Sequence, residues 1–513
     1  MSYSGARTTG AATTWAAAWW SRLGATPTIA WACATVAVAA RLARAGGVAG
    51  LWAYGAYDDG VYFAAADAFV HGRVPYRDFL LLHPPGIVIV LSPFAELTRW
   101  MSDAHALVAA RLAFIALGAV NTALVVLVAR RSGRAAALTG GLLYALLPAA
   151  TGVEYLTMLE PVGTTALLAA VLLARRAGRA GASGWWSFAA GAAVAVAPLT
   201  KIWGVVIVAV LLGWHAWRLG ARAALRATCG ALATALVVLG PFALLAGGAL
   251  WHDVVLDQLR RPRTLVSAGT RIVWLSGAST AGLPRGAVTE LAAAIALGLT
   301  CCAVIAWRAR RDRFWVLLAA AQVSVLLLSP SFFDHYAAFA APSLVLLVAS
   351  ATAAAPRWSR SAIAVAACAV VILATASTAP ASTAPFPARA VDAALPRSGC
   401  VGTDAPATLA LVDRLTLDLE RRCTVPVDLT GFSYDQPVLT ATGPVSRASN
   451  PLYQEQVVDD LTTGDAVVLV RGAGDGFSAT TTRRILDGRQ SLQLAGNVRV
   501  LTGTDARPDQ DPR

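Results

Sequence analysis

Between Tyr57 and Gly86 the chain reads YDDGVYFAAADAFVHGRVPYRDFLLLHPPG, which gathers Asp58, Asp59, Asp67 and Asp78 with His71, His83, Arg73 and Arg77. Adjacent carboxylates repel, and partial burial disfavours charge; both conditions suit a carboxyl for general-base work. Asp58 and Asp59 are both candidates for it. Asp67 is expected on the wet face of a short amphipathic helix, Phe63–Phe69, lying on a membrane. Arg77 and Asp78 are expected to hold the loop's shape. The HPPG turn, His83 to Gly86, is rigid and sends the chain back toward the bilayer.

Other residues farther along suit an anionic partner. Lys201 is the single lysine, against 41 arginines. A compact ammonium binds phosphate as a point charge, although a lysine at a helix end also snorkels. QLRRPRT, Gln258 to Thr264, sets Arg260, Arg261 and Arg263 in one loop. Asp334, His335 and Tyr336 follow in DHYAAFAAP; His335 can hydrogen-bond a phosphate or a sugar hydroxyl, or be a buried structural imidazole. Glu160 in VEYLTMLEP, like Glu154 nearby, suits either a helix start or the site.

The elements that must position these residues are membrane helices. The chain has 513 residues, is 57% hydrophobic and has only 14% charged residues, where a soluble protein carries about a quarter. About eleven apolar spans recur, from Thr28–Leu42 to Ser361–Ala376, at lengths near the roughly 17–25 residues that cross a bilayer, although several are shorter. The net charge of +13 divides unevenly. The first 380 residues hold 29 basic and 13 acidic groups, and the remainder 13 and 16. The basic clusters ARRSGR, ARRAGR, RLGARAALR, RARRDR and PRWSR all fall on one side if the N-terminus is cytoplasmic. The positive charge is therefore topological, and nucleic acid is not the partner.

Residues 1–27, with Trp15, Trp19 and Trp20, read as a cytoplasmic leader without a cleavable signal. Residues 28–380 form the transmembrane domain, with an outer loop at 50–105. Residues 381–396 read as a Pro/Ala linker, 397–505 as an extracytoplasmic domain and 506–513 as a disordered tail. The fold class is thus mainly α, a polytopic helix bundle with a small C-terminal α/β domain. In that domain CVGTDA, CTVPVDLTG, DAVVLVRG and NVRVLTG read as strands, and ATLALVDRLTLDLERR, NPLYQEQVVDDLTTG and SATTTRRILDG as helices. Cys400 and Cys423 each open an expected strand in an exterior domain and are candidates for a disulfide. The other five cysteines lie in apolar spans. There is no P-loop and no GxGxxG with a following acidic residue.

The chain resembles the integral-membrane glycosyltransferases of the C superfamily, in the branch of protein O-mannosyltransferases and lipid A aminoarabinose transferases. The resemblance rests on YDDGVY…GRVPYRDF…HPPG, TMLEP, LTK and DHYAAFAAP, and covers roughly Gly24 to Ser350. The Ala/Arg-rich, Lys-poor composition looks actinobacterial. The resemblance implies a multi-pass plasma-membrane enzyme. It would move a hexosyl or pentosyl group from a polyprenyl-phosphate donor to a glycan, lipid or protein acceptor on the outer face, with inversion. It maps the base onto Asp58, with Asp59 as its tuning neighbour, and the carrier phosphate onto Lys201, Arg260, Arg261, His335 and Tyr336. It requires no cofactor, and with no DxD in the first loop a divalent metal is possible but not indicated. Two other readings remain open: a transporter or flippase of lipid-linked sugars, and a non-catalytic glycan-binding membrane protein. Charge crowded at the outer face and the lack of repeated halves weigh against transport.

Overall fold

A computed structural model describes residues 26–261, 265–310, 312–377, 384–440 and 443–503. The expected leader with its three tryptophans, Arg263 and the tail at 506–513 therefore lie wholly or almost wholly outside the described residues. Eleven helices form the bundle: Thr26–Ala45, Asp103–Ala129, Arg134–Leu146, Glu160–Ala177, Trp185–Thr200, Gly204–Leu219, Ala221–Ala246, Arg285–Arg308, Arg313–Leu328, Ala341–Ala354 and Arg357–Ser377. Among the described residues, five helical segments are long and apolar enough to cross a membrane, and four more are apolar but shorter. The chain is a multi-pass membrane protein.

One buried ion pair lies between the first helices of this bundle. Arg41, on the first helix, meets Glu154 from the turn before Glu160–Ala177. Asn121 Nδ2 and Tyr144 Oη donate to the other oxygen of Glu154 at 2.8 and 2.9 Å. A lone ion at that depth is expensive, and this network supplies the partners that remove most of the cost. Glu154 is therefore structural and buried, which is neither the helix start nor the site role that its sequence position left open.

The segment between the first two bundle helices departs most from expectation. A helix does form, but over Tyr57–Val70, with Asp58 and Asp59 in its first turn, where the helix dipole favours acids. It is not amphipathic: every residue from Asp59 to Ala68 is buried. The bundle covers one side and the C-terminal domain the other, so no face is left wet. Gly60 is required by that contact, because a Cβ there would collide with the backbone of Ala407. Gly86, ending HPPG, is pressed in the same way against Leu199.

Asp67 is accordingly fully buried rather than the wet face of this helix. It accepts from Thr416 Oγ1 of the C-terminal domain at 3.1 Å and lies 3.4 Å from His71. The bond to Asp67 pushes the His71 imidazole up from 6.5 to about 9. A raised value means that the pair's full contribution is present below about 6.5 and is lost as pH rises through about 9. His71→Gln should therefore cost on the order of 1 kcal/mol at pH 7 and almost nothing at pH 10. Thermal midpoints of both proteins at the two pH values check this.

The C-terminal domain has a four-stranded mixed sheet in the order Val401–Thr403, Ala466–Leu469, Arg499–Gly503, Arg489–Gln493. The first pair is parallel and the other two are antiparallel. Helices Pro451–Thr462 and Ala479–Leu486 occupy their expected places. CTVPVDLTG is not a strand. ATLALVDRLTLDLERR breaks into Pro406–Leu411 and Leu415–Glu420, with Asp413 between them at a left-handed φ of 57°. The linker region contains a helix, Ala388–Ala394, and Phe386 N donates to Trp52 O at 2.9 Å. One apolar core runs through Phe63, Leu91 and Leu107 into Val401, Leu409 and Leu415, so the domain is continuous with the first loop.

Cys400 and Cys423 are joined, with Cα atoms 5.7 Å apart and a sequence separation of 23. Although Cys423 stands in no strand, the bond closes a loop over the two short helices. The double change Cys400→Ser and Cys423→Ser should lower stability by about 3 kcal/mol by releasing that loop in the unfolded chain. Chemical denaturation of the two proteins measures the difference.

Candidate active site

The two acidic neighbours at the start of the Tyr57–Val70 helix point to different surroundings, because successive residues on a helix lie about 100° apart. Asp59 is completely buried and ion-paired with Arg111. Its other oxygen accepts from Thr157 N and Thr157 Oγ1, each at 2.8 Å. Arg111 also donates to the carbonyls of Leu51, Ala53 and Tyr54. Asp59 is thus a fastener, and its lone pairs are engaged by the fold. Asp58 keeps 36% of its side chain exposed, and its Oδ2 lies 3.6 Å from His335 Nε2.

Around Asp58 the bundle assembles cations from distant elements. Lys201 ends the Trp185–Thr200 helix and donates through Nζ to Glu160 Oε1 at 2.5 Å. The ammonium also sits over the Tyr336 ring at 3.9 Å and over Trp203 at 5.0 Å. Arg261 donates to Tyr336 Oη at 3.0 Å. Tyr336 is therefore the hub, with Lys201 on its face and Arg261 at its hydroxyl. Burial opposes the Arg261 charge, yet Tyr336, Tyr434, Asp428 and Asp58 together hold its guanidinium above the usual value. His83 is driven well below its ordinary value by burial, and then by Arg261, Lys201 and His335.

The expected residues therefore divide. Asp58, Lys201, Arg261, His335, Tyr336, Glu160 and His83 come together. Arg260 is exposed and does not join them. Arg77 and Asp78 form a solvent-facing pair at 2.7 Å, and Asp78 also accepts from Val74 N at 2.7 Å, which closes the loop over Tyr76. Asp59 belongs to the frame.

The C-terminal domain supplies groups that sequence reasoning missed. Tyr57 Oη donates to Asp428 Oδ1 at 3.1 Å, and Thr430 N donates to Tyr57 Oη at 2.9 Å. Arg471 lies over the Tyr57 ring at 4.0 Å, and Arg261 over Tyr434 at 4.6 Å. Burial, and after it the Asp58 charge, pushes the Asp428 carboxyl up. These contacts cross some 170 to 410 residues of sequence, and nothing local announces them. Arg111 did carry a signal, an arginine within an apolar span.

Three buried polar atoms in this cluster, His83 Nδ1, Glu160 Oε2 and Arg261 Nε, have no hydrogen-bond partner among the described residues. Buried polar groups are almost always paired, so such atoms mark a surface shaped for a polar ligand. The arrangement places a half-exposed carboxylate, able to take a proton, opposite an ammonium and a guanidinium able to hold an anion. A separate cavity of about 650 Å³, lined by Arg131, Arg175, Arg179 and Arg218, lies among the basic loops at the other end of the helices.

Residues 82–245 match the family model described as dolichyl-phosphate-mannose-protein mannosyltransferase. No curated protein matches at a significant level. Among solved structures, ArnT from Cupriavidus metallidurans bound to undecaprenyl phosphate is similar at 15% identity and a TM-score of 0.57. That similarity covers 92% of this chain and 98% of ArnT. The archaeal oligosaccharyltransferase AglB from Archaeoglobus fulgidus, in complex with an inhibitory peptide and a dolichol-phosphate, is similar at 14% identity and a TM-score of 0.52. Here 95% of this chain and 75% of AglB are covered. The chain is therefore a polytopic membrane protein that shares its fold with ArnT and AglB.

Proposed function

We propose that this protein moves a sugar from a polyprenyl-phosphate donor to an acceptor at the outer face of the plasma membrane. The observation that carries the reading is the half-exposed Asp58 carboxylate facing His335, with Lys201 and Arg261 gathered on Tyr336 beside it. The fold shared with ArnT, whose structure holds undecaprenyl phosphate, supports it, as does the family match at 82–245.

In this reading the acceptor hydroxyl gives its proton to Asp58 as its oxygen attacks the sugar carbon from the face opposite the phosphate. The bond from that carbon to the phosphate oxygen breaks, and the electron pair leaves with the phosphate. One displacement inverts the sugar carbon. Lys201 and Arg261 hold the charge that grows on the leaving phosphate, and fixed cations in a partly dry site do so with little reorganisation. Glu160 and Tyr336 keep the ammonium in place. His335 is near enough to orient Asp58.

The N-terminus is cytoplasmic in this reading, because that orientation puts the five basic loops inside and this site outside. The C-terminal domain then roofs the site, with Asp428, Tyr434 and Arg471 on its underside, and the acceptor enters between domain and bundle. A glycan, lipid or protein acceptor is compatible with that entrance.

The test is release of free polyprenyl phosphate from a polyprenyl-phosphate sugar by the purified full chain in nanodiscs. Acceptor-dependent release with sugar recovered on the acceptor is the expected result. Movement of intact carrier between leaflets of a vesicle, without any release, would replace this reading with transport.

A further inference from the structure

Outside the site just described, one group of side chains among the described residues is arranged as ligands. His252, Asp253 and Asp257 come from the segment after the Ala221–Ala246 helix, and Asp435 comes from the C-terminal domain. One ligand atom from each lies within 4.8 Å of the others. His252 Nδ1 is 3.6 Å from Asp253, 3.5 Å from Asp257 and 3.4 Å from Asp435. Metal bonds of about 2.0–2.2 Å set tetrahedral edges of about 3.3–3.6 Å, so the three distances have the right size.

An acidic cluster alone would mean little. Here, however, Asp257 is fully buried, lies within the cluster, and neither of its oxygens has a hydrogen-bond partner among the described residues. A buried carboxylate without donors is costly. Three carboxylates face one imidazole, which can supply at most a single positive charge. Residues 252–256 form a wide π turn, a geometry that recurs at functional sites and that here brings His252 and Asp257 onto one face.

We propose that His252, Asp253, Asp257 and Asp435 bind a divalent transition-metal cation. One nitrogen and three oxygens suit zinc or manganese better than an oxygen-only ion such as calcium. The cation joins the two parts of the protein. Asp435 follows Tyr434, on which Arg261 stacks, and Asp257 is four residues before Arg261. Binding fixes the loop that carries Arg261 to the underside of the C-terminal domain. The site stands apart from Asp58 and does not depend on what reaction occurs there.

The test uses the full chain purified in detergent through a tag without histidine. Elemental analysis should find about one equivalent of zinc or manganese per chain, because a four-ligand site retains its ion through purification. After chelation, adding zinc or manganese should raise the thermal midpoint, and magnesium should not. Asp257→Asn should weaken the metal at least about 10-fold, since even residues behind the ligands have effects of that size. Asp435→Asn, at a half-buried position, provides the same readout if Asp257→Asn fails to fold. No stoichiometric metal and no shift with either ion would overturn the proposal. Metal that binds equally well to both variants would overturn the ligand assignment.

Discussion

Asp58→Asn should lower sugar transfer by about 10²–10⁴-fold, the usual contribution of a positioned base, while the protein stays folded. The structure gives reasons for both halves of this expectation. Among the described residues Asp58 makes no hydrogen bond that holds the fold, and His335 lies 3.6 Å from it. Asparagine fills the same space but cannot take a proton from an acceptor. In the proposed mechanism Lys201, Arg261 and Tyr336 still bind the carrier phosphate, so the loss should fall on kcat and leave the donor KM nearly unchanged. Transfer assays of the two proteins, matched by thermal midpoint, provide the comparison. A variant with unaltered kcat would remove Asp58 from the chemistry.

Much of the scaffold was legible because bilayer physics writes it plainly. Apolar runs of spanning length gave the bundle, and five arginine clusters on alternate loops gave its orientation as an expectation. The lone lysine drew attention to itself by composition, and it does stand in the cluster around Tyr336. The first loop was harder. Its charges suggested a helix wet on one side, because the sequence does not say that a domain more than 300 residues later will cover that side. Asp67 and the buried run from Asp59 to Ala68 follow from this cover. The strand Arg489–Gln493 was missed for a related reason: it is a polar, largely exposed edge strand with no buried alternation to read. Asp428 and Tyr434 were invisible because their partners, Tyr57 and Arg261, are remote in sequence.

The pair Asp58 and Asp59 shows what such reading cannot separate and a structure can. By residue type they are equivalent neighbours, and only the family resemblance singles out Asp58; in the structure one faces His335 and the other is paired with Arg111. Asp59→Ala should therefore destabilise the protein by about 3–5 kcal/mol, the usual cost of stranding one member of a buried ion pair. It leaves the Arg111 guanidinium buried against the carbonyls of Leu51, Ala53 and Tyr54, and it removes the acceptor for Thr157. The thermal midpoint and the monodisperse yield in detergent should both fall. Asp59→Asn should cost less, since its amide oxygen can still accept from Thr157. Replacing Asp59 and Arg111 together by leucine should recover part of the loss, because no charge is then left alone. Any drop in transfer in these variants should follow the folded fraction, because Arg111 ties the 51–54 turn to the helix start that aims Asp58. Asp59→Ala with an unchanged midpoint and no transfer would contradict this and return Asp59 to the reaction.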